Sequence, residues 1–96
     1  MCSGCKRWTM HASTQVWDGR VNPARSAANC QKACESDTQC TGFDWDFSHE
    51  LGEQCWLSGP WSGTRDDGTA SHYITHYDLK RNCQNRGNND GRNVQY

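Results

Sequence analysis

A chain of 96 residues is long enough for one domain, and with only 33% apolar residues it has little to bury. Its 10 basic and 11 acidic residues leave a formal net charge of -1, which excludes a broad basic field for nucleic acid or an anionic membrane surface. No apolar run approaches the length of a membrane span, and there is no Gly-rich phosphate loop or nucleophile-elbow serine; the expectation is no nucleic-acid partner, no membrane insertion, no cofactor and no enzyme activity.

The first segment, residues 5–10, reads as a strand with Trp8 and Met10 on one face. Residues 14–17 suggest a second short strand, closed by a turn at Asp18-Gly19. Residues 26–37 form the expected helix, with Ser26 as N-cap and Ala27, Ala28, Gln31, Lys32, Ala33 and Glu35 compatible with its interior. Asn22-Pro23 offers an alternative start one turn earlier. Residues 41–47 are the clearest strand: Phe43, Trp45 and Phe47 alternate with Asp44 and Asp46, which puts the aromatics on one face and the carboxylates on the other. A connection at 48–53 leads into a returning strand at 54–58. A long loop covers 59–68, and a last strand spans 70–78, in which His72, Ile74 and His76 share a face. The domain is expected to cover residues 1–83. After Cys83, residues 84–96 are rich in Asn, Gly and Arg and read as a disordered tail.

Seven cysteines in so polar a chain point to disulfide cross-links, an oxidising compartment and secretion. The sequence opens Met1-Cys2-Ser3-Gly4-Cys5 without an apolar leader, so secretion would require a leader already removed or a Met1 added for expression. Cys30 and Cys34 lie four apart, on one helix face that must meet the sheet. Cys40 can return to the helix end and Cys55 can reach its first turn. The nested pairing Cys30–Cys55 with Cys34–Cys40 fits this geometry, but the crossed pairing stays open.

Ser26-Ala27-Ala28-Asn29-Cys30-Gln31-Lys32-Ala33-Cys34, Cys40-Thr41-Gly42-Phe43-Asp44-Trp45 and Cys55-Trp56-Leu57 together resemble the PAN/apple domain family over about residues 5–83. The shared pattern is a helix carrying C-x-x-x-C, a cysteine before an aromatic strand, and a Cys-x-Leu strand. The resemblance implies an α+β fold, a small disulfide-rich module in which a curved antiparallel sheet cradles one helix. It also implies the nested pairing and a tie between the terminal strands, for which Cys5 or Cys2 with Cys83 are available here. The implied role is extracellular binding of proteins or carbohydrates, without a shared catalytic site. Three bonds leave one cysteine over. Cys2, nearest the terminus, is then free or forms an intermolecular bond in a homodimer, and Cys2 and Cys5 can exchange roles. Zinc at Cys2-x-x-Cys5 would need two further ligands from His11, His72, His76 or Cys83, and no metal site is expected.

Candidate binding residues follow from alternation. If Cys55 faces the helix, Trp56 faces outward, beside Asp44 or Asp46 on the neighbouring strand. An indole flanked by carboxylates suits a sugar, whose C–H face stacks on the ring while its hydroxyls donate to the acids. The competing reading is a Trp shielded by the chain's own loop, with solvated carboxylates around it. Trp61, in a Gly/Pro-flanked loop near Arg65, reads either as a hot spot for a protein partner or as a plug folded onto the sheet. His72 and His76 read as half-exposed strand residues. Protonating all four histidines would move the formal charge from -1 to +3, which is the alternative reading of these residues, a pH-sensitive interaction. The function expected is recognition of a glycan or an extracellular glycoprotein. The alternative is a protein–protein adhesion or matrix-assembly module, potentially a disulfide-linked dimer.

Overall fold

The computed structural model describes residues 5–81. Seven strands and one helix follow in order: β1 (Lys6–Ala12), β2 (Gln15–Val16), β3 (Arg20–Asn22), α1 (Ala27–Ser36), β4 (Gly42–Asp46), β5 (Cys55–Ser58), β6 (Arg65–Asp66) and β7 (Ile74–Arg81). Five of the strands form an antiparallel sheet in the order β1-β7-β4-β5-β3, and β2 pairs with β6 in a separate two-stranded ribbon. This is the α+β arrangement the resemblance implied.

The helix starts where the sequence places it. Ser26 has extended backbone and its hydroxyl accepts the Asn29 amide at 3.1 Å, which satisfies one of the orphan donors of the first turn. Pro23 does not begin the helix, because Asn22 Oδ1 accepts the Ala24 amide and holds that dipeptide in a turn. At the other end the helix has no basic residue of its own in its last turn. Arg81 of β7 reaches across instead and donates to the carbonyls of Cys34, Asp37 and Cys40 at 2.8–3.1 Å. A strand-borne guanidinium therefore supplies the cation and the donors that helix carbonyls lack.

The two faces of the large sheet have opposite chemistry. Phe43, Leu57 and Leu79 look toward α1 and form the core with Cys30, Cys34, Cys40 and Cys55; Trp8, Trp45, Trp61 and Tyr77 pack around it. Phe43 stacks on Tyr77 at 4.7 Å and meets Trp8 edge-on at 5.4 Å, both favourable aromatic geometries. Trp8 also donates its indole N–H to Glu35, which fixes β1 to the helix. Two disulfides cross this core in the nested pattern, Cys30–Cys55 and Cys34–Cys40, and the crossed alternative is excluded. Cys5 is also disulfide-bonded. The pairing with Cys83, the spare role of Cys2 and the tail at 84–96 lie outside the described residues.

Some sequence expectations need correcting. The strand at 41–47 stops at Asp46, whose carboxylate accepts the Ser48 amide and hydroxyl and turns the chain. Phe47 consequently leaves the core face and is 56% exposed against Tyr73. The last strand begins at Ile74 rather than residue 70 and continues to Arg81. Strand β3 was not expected, and β6 lies inside the segment read as a loop. Both are two or three residues long, too short to show a hydrophobic period. Asp18 at φ 63 makes the tight reversal between β2 and β3.

A candidate binding cleft under the two-stranded ribbon

The face of the sheet turned away from α1 carries Asp44 and Asp46 on β4, Trp56 on β5, and Ile74, His76 and Asp78 on β7. The β2–β6 ribbon folds over part of this face. Between the sheet and β2 of the ribbon, with the turn that follows it, lies a cleft of about 380 Å³, lined by Gln15, Val16, Trp17, Asp18, Asp44, Asp46, His49, Trp56 and Ile74 among others. The strand alternation thus brings Asp44, Asp46 and Trp56 together, and the turn after β2 adds Trp17 and Asp18, which sequence reasoning did not single out as binding residues.

The carboxylates are not the solvated groups of the competing reading. Asp44 is 4% and Asp46 8% exposed. Asp44 Oδ2 accepts the Val16 amide at 3.1 Å and its Oδ1 lies 2.7 Å from His76 Nδ1. Asp46 holds Ser48 through one oxygen and lies 3.4 Å from His49 Nε2 through the other. Burial of a carboxylate is costly unless its lone pairs are satisfied, and the ribbon and turn satisfy them. Asp44 is therefore mainly an anchor for β2, while Asp46 sits at the floor of the cleft.

Trp56 is half-buried, with its ring 5.9 Å from His49 and its N–H donated to the Glu53 carbonyl at 2.9 Å. Trp17 is exposed and donates to Asp66 of β6 at 2.6 Å, so the ribbon holds its indole in place. Asp18, next to it, is also exposed.

Trp61 and Arg65 fall elsewhere. Trp61 folds back against the hydrophobic core, donating to the Leu57 carbonyl at 3.0 Å. The guanidinium above its ring, 4.0 Å from the centroid, belongs to Arg20 and not to Arg65. Of the two readings of Trp61, the plug is the one realised. Arg65 lies on the ribbon, bonded to Asp67 at 2.7 Å and to Asp78 at 3.0 Å. The Asp67 hydrogen bond raises the Arg65 pKa against the opposing effect of burial, and Asp78 adds to the rise.

His76 is the residue the sequence underrated. It is 1% exposed rather than half-exposed, whereas His72 is exposed and packs on Tyr73. Its two ring nitrogens each stand 2.7 Å from a carboxylate oxygen, of Asp44 and of Asp78. Asp78 also receives His11 Nε2 at 3.0 Å. Burial pushes the Asp78 pKa up, but the hydrogen bonds and charges of His76 and Arg65 outweigh it and hold the group below its ordinary value. The H-x-D spacing at 76–78 was the available signal: two residues apart on a strand, the side chains share a face.

No curated protein and no solved structure shows a significant match to this chain. A family model, the PAN domain, matches residues 10–85. That span includes the helix, both described disulfides and nearly the whole five-stranded sheet, so this chain belongs to the PAN domain family, whose members are extracellular modules that bind proteins or carbohydrates.

Proposed function

We propose that this PAN domain binds a carbohydrate, free or carried on a glycoprotein, in the cleft beneath the β2–β6 ribbon, and that it does so as a secreted module. The observation that carries the reading is the joint presence of two indoles and acidic side chains around one cleft of about 380 Å³. Trp56 and Trp17 supply flat apolar faces for sugar C–H groups. Asp18 is open to solvent, and Asp46 retains lone-pair capacity, because a carboxylate can accept about four hydrogen bonds. Asp44 acts indirectly, by holding β2 in position. Trp61 and Arg65 have no part in this cleft.

The test is a glycan array probed with the oxidised protein, followed by titration of tryptophan fluorescence with any sugar retained. Trp56→Ala is expected to weaken binding at least about tenfold, equivalent to ~1.4 kcal/mol. An empty array, or full binding by Trp56→Ala, would sink the assignment.

A second reading, protein–protein adhesion, is favoured by a separate feature. Phe47, Leu51 and Tyr73 are exposed, and Phe47 and Tyr73 stack edge-to-face with centroids 5.2 Å apart. Exposed aromatics of this kind suit a protein partner. Retained adhesion in Trp56→Ala with loss in Phe47→Ser would favour it. A homodimer through Cys2 would appear as a doubled intact mass without reductant.

A further inference from the structure

Two strands make the ribbon whose β2 lines the cleft, and each is tied to the main sheet by a carboxylate. β2 is held through the Val16 amide on Asp44 Oδ2, and β6 through Arg65 on Asp78. These same two carboxylates grip the two ring nitrogens of His76, each at 2.7 Å. An ionised carboxylate only accepts hydrogen bonds, so both contacts are made at once only when the imidazole carries hydrogens on both nitrogens.

We propose that His76, as a doubly hydrogen-bonded imidazolium, is a positioning residue that clamps the β2–β6 ribbon over the cleft and releases it when the ring loses a proton. The proposal rests on the cleft being the binding site and adds how its wall is controlled. When a proton leaves, one nitrogen becomes an acceptor facing a carboxylate oxygen, and the two lone pairs repel. Asp44 and Asp78 then lose a shared positive charge, and with it the arrangement that presents Asp44 Oδ2 to Val16 and Asp78 to Arg65. The charged groups around the ring come from every neighbouring element. His11 on β1 stacks at 6.5 Å and bonds Asp78, Asp44 lies on β4, Asp78 on β7, and Arg65 on β6 with Asp67 behind it. His11 is the other imidazole in contact with Asp78, so its contribution must be separated from that of His76.

The experiment is a pH titration of the oxidised protein by NMR, following the ring nitrogens of each histidine and the exchange protection of the Val16 amide. At the acidic end of the titration both nitrogens of His76 are expected in the N–H form. As pH rises and His76 titrates, the Val16 protection factor is expected to fall at least tenfold, while amides in the β4–β7 pairing keep theirs. The same fall is expected in His11→Asn, which assigns it to His76. In His76→Asn, Val16 protection is expected to be low and independent of pH. A bare His76 nitrogen at the acidic end of the titration, or Val16 protection unchanged across the whole range, overturns the clamp. If His76→Asn does not fold, the wild-type titration still decides. These readouts need no sugar, so an empty glycan array would overturn the binding reading and leave the clamp standing.

Discussion

Gly42 and Asp78 show how single positions on the polar face are constrained in different ways. Gly42 opens β4 beside β7, and a Cβ built there would collide with the Tyr77 carbonyl oxygen. Backbone cannot swing aside as a side chain can, so Gly42→Ala must push the two strands apart. The expected cost is that of overpacking, about 1–3 kcal/mol, measured as a lower urea midpoint with unchanged m. Asp78 is constrained by charge. Its folded-state pKa lies below the ordinary 3.8, chiefly because His76 and then Arg65 outweigh its burial. A depressed carboxylate contributes stability that is fully present above the unfolded-state pKa and is lost as pH falls through the lower folded value. Asp78→Asn is therefore expected to be less stable than wild type above about pH 5, with the gap narrowing as pH falls below about 4. A gap that stays constant from pH 7 to pH 3 would show that the ionised form of Asp78 contributes nothing. Its side chain is 37% exposed, so solvent screens part of the effect.

At the scale of elements, the helix, the two central strands and the position of β2 were readable, while β3, β6 and the pairing of β2 were not. Ser26, the alanines and the C-x-x-x-C spacing mark α1 locally, and Phe43 to Asp46 alternates as a half-buried strand must. β3 and the β2–β6 ribbon hold two or three residues each, and their pairing depends on partners far along the chain, such as Val16 with Arg65. The place where α1 ends was legible, but its capping cation was hidden, because it comes from Arg81, 44 residues beyond Asp37. That dependence is testable. Arg81→Ala leaves the last helical carbonyls without their charged donor, which is expected to cost about 1.5–3 kcal/mol. Hydrogen exchange should locate the loss in residues 34–37 and leave β4 and β5 protected. Arg81→Lys should recover only part, since an ammonium keeps the charge but lacks the further guanidinium donors Nε and Nη1, which face the Cys40 and Glu35 carbonyls.

For the whole molecule, the alternation that separates an apolar helix face from a polar outer face was legible, and it correctly joined Trp56 to Asp44 and Asp46. What it could not show is that the outer face is itself covered. The ribbon makes Asp44 a buried anchor rather than a solvated acid, and it makes His76 the junction of a network no local pattern displays. A fold with so small an apolar core and two covered faces relies on its cross-links, and the two described bonds are not equivalent. Cys30–Cys55, at a sequence separation of 25, closes a loop of 26 residues, for which chain entropy gives about 3.5 kcal/mol. Cys34–Cys40, at a separation of 6, closes seven residues and gives about 2.4 kcal/mol. All four sulfurs are buried, so replacing each pair by alanines incurs a similar packing loss and the difference reports the loops. The double variant Cys30→Ala/Cys55→Ala is expected to be about 1 kcal/mol less stable than Cys34→Ala/Cys40→Ala. It should also free α1 from β5, since Cys30 and Cys55 join those two elements directly, whereas Cys34 and Cys40 join the helix only to the segment that follows it. Urea denaturation of the two variants at pH 7 measures the difference. Equal midpoints, or the reverse order, would mean that the short bond holds the core by local geometry rather than by restricting the unfolded chain.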